Sequence, residues 1–124
     1  MAGSKGSKYY DIFLNYSLWL SNNKQGIVSE DIINLLKNIK KTSSLKSAAE
    51  ELKISYRKAW GNIRDAETEL KFKLVEKQRG GKTGGHSVLT EEAEVLINAF
   101  TELRADFDIA INKITKKFFN KINN

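Results

Sequence analysis

Between Ser29 and Leu70 the apolar positions recur three and four residues apart in three runs, the spacing of one helix face. Ile32, Leu35, Leu36 and Ile39 form the first run. Ser29, Glu30 and Asp31 precede it, a capping hydroxyl followed by acids that suit the positive end of a helix, and Lys40 and Lys41 close it with the opposite charge. The second run, Leu45, Ala48, Ala49 and Leu52, follows the cap pair Ser43-Ser44. The third, Ala59, Ile63, Ala66 and Leu70, follows Ser55.

Outside these runs the period changes. From Tyr10 to Leu20 the even positions Tyr10, Ile12, Leu14, Tyr16, Leu18 and Leu20 are apolar or aromatic, and the odd ones include Asp11, Asn15 and Ser17. That alternation predicts a strand with one buried face. Tyr9, Ile12, Phe13, Tyr16, Trp19 and Leu20 also fit a helix; the aromatic content and the turn-like Asn22-Asn23-Lys24-Gln25-Gly26 favour the strand. Leu74-Val75-Glu76-Lys77 and Ser87-Val88-Leu89 flank Gly80-Gly81-Lys82-Thr83-Gly84-Gly85 and predict a hairpin with a long, flexible tip. Thr90-Glu91-Glu92 opens a last helix expected to run to about Phe119.

The order strand, helix, helix, helix, hairpin, helix predicts a mainly α fold with a small β-hairpin. It is a winged helix-turn-helix with an N-terminal strand and a long C-terminal helix. The expected boundaries are a flexible tail at 1–8, the winged domain at 9–90 and the long helix at 91–124.

Composition narrows the function. The 124 residues suffice for one compact domain. Cysteine is absent and His86 is the only histidine, which excludes a disulfide framework, a thiol nucleophile and a structural zinc site. No carboxylate pair or Ser/His arrangement accompanies His86, so no catalytic residue, metal or cofactor is expected. Gly81-Lys82-Thr83 resembles part of a nucleotide loop, but the position that needs glycine is Glu76. With no signal region and no apolar span near 20 residues, the expected place is the cytoplasm, with no membrane partner. The net charge of +6 raises the expectation of an anionic partner.

The third helix places that charge. At about 100° per residue, Ala59, Ile63, Ala66 and Leu70 fall on one stripe, while Arg57, Gly61, Arg64 and Thr68 fall opposite, flanked by Lys58 and Trp60. A helix entering a major groove needs an apolar anchor on one side and donors with small residues on the other. Arg57 and Arg64 suit guanine edges or phosphates, Ser55 and Tyr56 suit phosphate at the helix N-terminus, and Gly61 permits close approach. For the face as a whole, the alternative is a solvated cationic surface. For Trp60 it is packing in the core or against the wing. Arg79, Lys82 and Thr83 offer phosphate donors at the hairpin tip, and Lys71, Lys73 and Lys77 extend the basic surface.

Ser44-Leu45-Lys46-Ser47-Ala48-Ala49-Glu50-Glu51-Leu52, followed by Ile54-Ser55-Tyr56-Arg57-Lys58-Ala59-Trp60, resembles the DNA-binding domain of the molybdate-dependent regulator (ModE) family. Leu74-Val75-Glu76-Lys77, the double-glycine stretch and Val88-Leu89-Thr90 resemble its wing. That helix-turn-helix is in turn similar to LysR-type regulators, and the resemblance covers roughly residues 14 to 105. Two positions depart: Ser43 and Lys53 stand where the family usually has glycine. The resemblance implies duplex DNA as partner. It does not imply molybdate binding, since the oxyanion-binding domain of full-length members is not expected within this chain, and no molybdate site is evident in the sequence.

In the last helix, Leu96, Phe100, Leu103, Phe107, Ala110 and Ile114 repeat at alternating steps of four and three. Such a seam predicts pairing with a second copy, and Phe118, Phe119 and Ile122 are candidates to extend it. Packing of this helix back over its own chain is the alternative. Together these readings predict a homodimeric, sequence-specific transcriptional regulator. The alternative class is a winged-helix module that docks an acidic protein.

Overall fold

A computed structural model describes residues 8–78 and 86–123. The elements are β1 (Trp19–Ser21), β2 (Gly26–Ser29), α1 (Glu30–Thr42), α2 (Leu45–Glu51), α3 (Tyr56–Leu70), β3 (Val75–Gln78), β4 (His86–Leu89) and α4 (Glu91–Ile122). They pack as two units. One is Leu18–Phe100; the other joins the described residues up to Ser17 with those from Thr101 onward.

The first unit is a winged helix-turn-helix, and its helices start where short-range chemistry says they should. Ser29 Oγ accepts from Ile32 N at 3.2 Å, Ser44 Oγ from Ser47 N at 3.0 Å, and Ser55 Oγ from Lys58 N at 3.0 Å. Each bond satisfies one of the donors that a helix N-terminus leaves unpaired. The predicted apolar faces meet in one core: Ile32, Leu35, Leu36 and Ile39 of α1, Leu45, Ala48 and Ala49 of α2, and Ala59, Ile63 and Ala66 of α3. Val28, Leu74, Val75, Ala93, Ile97 and Phe100 close it from the strands and from α4.

Two antiparallel hairpins complete this unit. β3 and β4 pair from Val75↔Leu89 to Gln78↔His86. Their base is held from two sides. Thr90 Oγ1 donates to Lys73 O at 2.7 Å while accepting from Ala93 N at 3.1 Å, so one hydroxyl caps α4 and fixes the strand entry. Ser87 N donates to Ser43 O at 3.0 Å in the turn between α1 and α2. That turn needs a left-handed residue: Ser43 has φ 57°, and Lys53, between α2 and α3, has φ 58°. Both departures from the family's glycines therefore fall on backbone that glycine adopts without strain.

The strand expected over Tyr10–Leu20 is much shorter. Pairing starts at Trp19, opposite Ser29, and most of the supposed buried face is exposed, including Tyr10, Ile12, Leu14 and Leu20. The reason is the partner. β2 has four residues, the last of them Ser29, which turns the chain into α1, so the β1–β2 ladder does not extend before Trp19; earlier in the segment only Phe13 carries an isolated bridge among the described residues. The helical alternative also fails beyond one turn, Ile12 N to Tyr9 O at 3.0 Å. The Asn22–Gln25 turn is as expected: Asn22 Oδ1 accepts from Lys24 N and Gln25 N, both at 2.8 Å.

In the second unit the N-terminal segment lies along the C-terminal part of α4. Tyr16 donates its hydroxyl to the Asp108 carboxylate, and the Arg104 guanidinium sits 4.4 Å from the Tyr16 ring centre. Tyr9 meets the buried ring of Phe119 at 6.3 Å between centroids. Tyr16 and Arg104 hold the Asp108 carboxyl below the usual carboxylate range, the tyrosine bond being the larger cause and partial desolvation opposing it. Among the described residues, no helix is long and apolar enough to cross a membrane.

Candidate nucleic-acid interface

The inner face of α3 is sealed: Ala59, Ile63 and Ala66 are buried in the core. This forces Arg57, Lys58, Gly61, Arg64 and Thr68 to the surface, where all five are exposed. Ser55 is exposed at the N-cap, beside the free backbone donors of the first turn. Thr68 turns inward, its hydroxyl donating to Arg64 O at 2.9 Å.

Trp60 lies between these faces. Its half-buried ring packs against the core, and its indole N–H donates to Tyr56 Oη at 3.0 Å. The Arg64 guanidinium lies 5.7 Å from the Trp60 ring centre. From β3, Lys77 Nζ donates to the same Tyr56 oxygen at 2.6 Å and stands 5.4 Å and 5.0 Å from the centres of the Tyr56 and Trp60 rings. The first strand of the wing and the first turn of α3 are thus tied by one ammonium. That bond holds the Tyr56 phenol below its ordinary range, with the Trp60 N–H acting in the same direction and burial opposing. Tyr56 Oη thus accepts from both the helix and the wing strand.

Tyr56, Arg57, Trp60, Gly61 and Arg64 line an open depression of about 450 Å³ whose wall is almost entirely carbon. Among the described residues, a Cβ at Gly61 would meet no atom within 4 Å. A second depression of about 490 Å³ continues past Arg64 to Lys71, Phe72 and Lys73 at the end of α3.

Two residues that hold this surface together were not singled out in the sequence. Glu67 Oε2 accepts from Leu74 N at 2.7 Å and Val75 N at 3.2 Å, fixing β3 to α3. Glu69 accepts from Asn22 Nδ2 and Gln25 Nε2, both at 2.9 Å, fixing the β1–β2 turn to the same helix. The available signal was a run of three acids, Asp65, Glu67 and Glu69, in the C-terminal half of α3, where the helix dipole disfavours negative charge. Lys77, read as general basic surface, instead bonds to Tyr56. Arg79, Lys82 and Thr83 lie outside the described residues. Among the described residues, no group of His, Asp and Glu is gathered in a way that could hold a metal ion.

Along α4, Phe100 is 4% exposed and belongs to the core of its own unit, with Leu96 half-buried beside it. From Leu103 the expected seam is open, with Phe107 42% and Ile114 59% exposed and Ala110 also at the surface. Phe119 is buried within its own chain, whereas Phe118 is exposed.

Residues 31–94 match the model of the bacterial regulatory helix-turn-helix protein family of lysR type. The chain is 33% identical over 91 residues to the molybdenum-pterin-binding protein MopB of Rhodobacter capsulatus, covering 73% of this chain and 32% of that protein. It is 43% identical over 68 residues to the transcriptional regulator ModE of Yersinia pestis, covering 55% of this chain and 26% of that one. Over the same length it is 38% identical to the DNA-binding transcriptional dual regulator ModE of Escherichia coli K12, again covering 55% and 26%. The chain spans about a third or less of the length of these relatives.

Proposed function

Because the chain belongs to the lysR-type family of bacterial regulatory helix-turn-helix proteins, which are regulators and not enzymes, and carries a DNA-binding domain of the ModE kind, we propose that it binds specific duplex sites as a homodimer. In this reading α3 enters the major groove. Arg57 and Arg64 reach guanine edges or flanking phosphates, and Ser55, Tyr56 and Lys58 hold the backbone at the helix N-terminus. The observation that carries it is the division of α3. One face is locked into the core, and the other presents two arginines around a glycine with open space above it.

The wing stands beside that helix because Lys77 and Glu67 bind it there. Arg79, Lys82 and Thr83 then supply donors for the backbone or the adjacent minor groove. The second copy docks along α4 through Leu103, Phe107, Ala110 and Ile114, with Leu96 and Phe100 at the margin. A row of large apolar side chains on one helix, left open in a single chain, supports this pairing.

Selection of bound fragments from random duplex DNA tests the whole reading. An enriched two-fold symmetric motif is expected, with affinity falling steeply as salt rises. Arg57→Ala should then weaken the selected site by about 1–3 kcal/mol while the fold persists. No enrichment and no salt-dependent duplex affinity would refute DNA binding and favour a protein-docking module.

A further inference from the structure

We propose that the carbon-walled depression over Gly61, between Arg57 and Arg64, receives the C5-methyl edge of a thymine, and that Lys77 is the positioning residue that keeps it shaped for that edge. The proposal rests on α3 being the helix that enters the major groove.

The floor of a major groove presents donors and acceptors at every base pair, but only thymine adds an apolar group. The exposed residues of α3 are largely polar or charged, Asp65 and Thr68 as well as Arg57, Lys58 and Arg64. In the depression over Gly61 the wall is carbon, contributed by Tyr56, Arg57, Trp60, Gly61 and Arg64. The Trp60 ring N–H is already given to Tyr56 at 3.0 Å, which leaves the Arg57 and Arg64 guanidiniums as the nitrogen donors of the lining side chains. The arginines stand seven residues apart on the same helix face, so their charged ends suit the polar atoms on either side of the methyl.

Gly61 keeps the floor open. Glycine is unfavourable inside a helix, and no described residue crowds this position: a Cβ there would touch none of their atoms within 4 Å. The space lies outward, where a ligand would stand. Lys77 supplies the shape, because its bond to Tyr56 Oη at 2.6 Å and its position over both rings hold them from the wing strand. The base of the wing thereby acts on base readout as well as on the phosphates.

The test uses the tightest duplex from the selection, with each thymine of one half-site replaced singly by deoxyuridine. This removes a methyl and leaves charge and hydrogen bonds intact. One position should lose roughly threefold to tenfold in affinity, the scale of one buried methyl. Gly61→Ala, which fills the floor and favours the helix, should bind the thymine and uracil duplexes equally at that position. Lys77→Gln should reduce the thymine-to-uracil ratio there, beyond any uniform weakening.

The proposal is overturned if every uracil substitution is silent in the wild type, or if the ratio survives unchanged in Gly61→Ala. An unchanged ratio in Lys77→Gln removes the positioning role. These failures are distinct from failure of the underlying reading. If Arg57→Ala binds the selected duplex as the wild type does, or no duplex is selected, α3 is not in the groove and this proposal falls with it.

Discussion

Glu67→Ala should detach the base of the wing from α3. In the wild type one carboxylate oxygen accepts from two consecutive backbone donors, Leu74 N at 2.7 Å and Val75 N at 3.2 Å. Leu74 and Val75 are 0% and 2% exposed, so water replaces the lost acceptor poorly. A hydrogen bond to a charged group contributes about 1.5–3 kcal/mol, and an orphaned buried donor costs a similar amount. The longer bond belongs at the low end, and Glu67 itself is half-buried, so the expected loss is about 2–4 kcal/mol. For a domain of this size that lowers Tm by on the order of 10–20 °C. Glu67→Gln keeps an oxygen able to accept both bonds and loses only the charge assistance, for a cost of about 1 kcal/mol. Urea unfolding followed by tryptophan fluorescence measures both changes, and amide exchange at Leu74 and Val75 locates them. If the two variants lose the same small amount, under about 0.5 kcal/mol, the orphaned donors find other partners. The anchoring role argued for Glu67 would then be wrong.

Other outcomes follow from the same structure. Lys53→Gly should stabilise the fold by about 0.5–1 kcal/mol, because the left-handed backbone at φ 58° costs a side-chain residue more than glycine's extra unfolded-state freedom returns; thermal melts check it. Phe107→Asp should leave a folded chain that sediments as a monomer and loses cooperative binding to a two-fold site. A wild type that is itself monomeric at high micromolar concentration would end the dimer reading. The Asp108 carboxyl should titrate below the ordinary carboxylate range by carbon-13 NMR, and Tyr16→Phe should raise its midpoint. Since the folded value is depressed, the stabilisation from this contact is present above the ordinary range. It is lost as pH falls through the lowered value, so the N-terminal segment should loosen in acid first.

The helices were legible in the sequence because the interactions that define them are local. A serine oxygen meets an amide three residues on, and apolar side chains three and four apart share a face wherever the helix is placed. Ser29, Ser44 and Ser55, the three apolar runs and the outward arginines of α3 could therefore be read without knowing what they pack against. The glycine preference at Ser43 and Lys53 is local too, since it is set by the φ of one residue. Tyr10 to Leu20 lacks that property. Its spacing fits a strand and a helix about equally, and a strand exists only with a partner of matching length. β2 ends at Ser29, so only Trp19 to Ser21 pair with it. The same dependence on partners hid Glu67 and Lys77. Each looks like an exposed charge on its own element, and each acts across a gap in sequence that only the packing of β3 against α3 closes. It also divided the α4 seam, where an even run of apolar positions becomes core at Phe100 and open surface at Phe107. Periodicity marks an apolar face, and the neighbours available in the tertiary structure decide which part of it is covered.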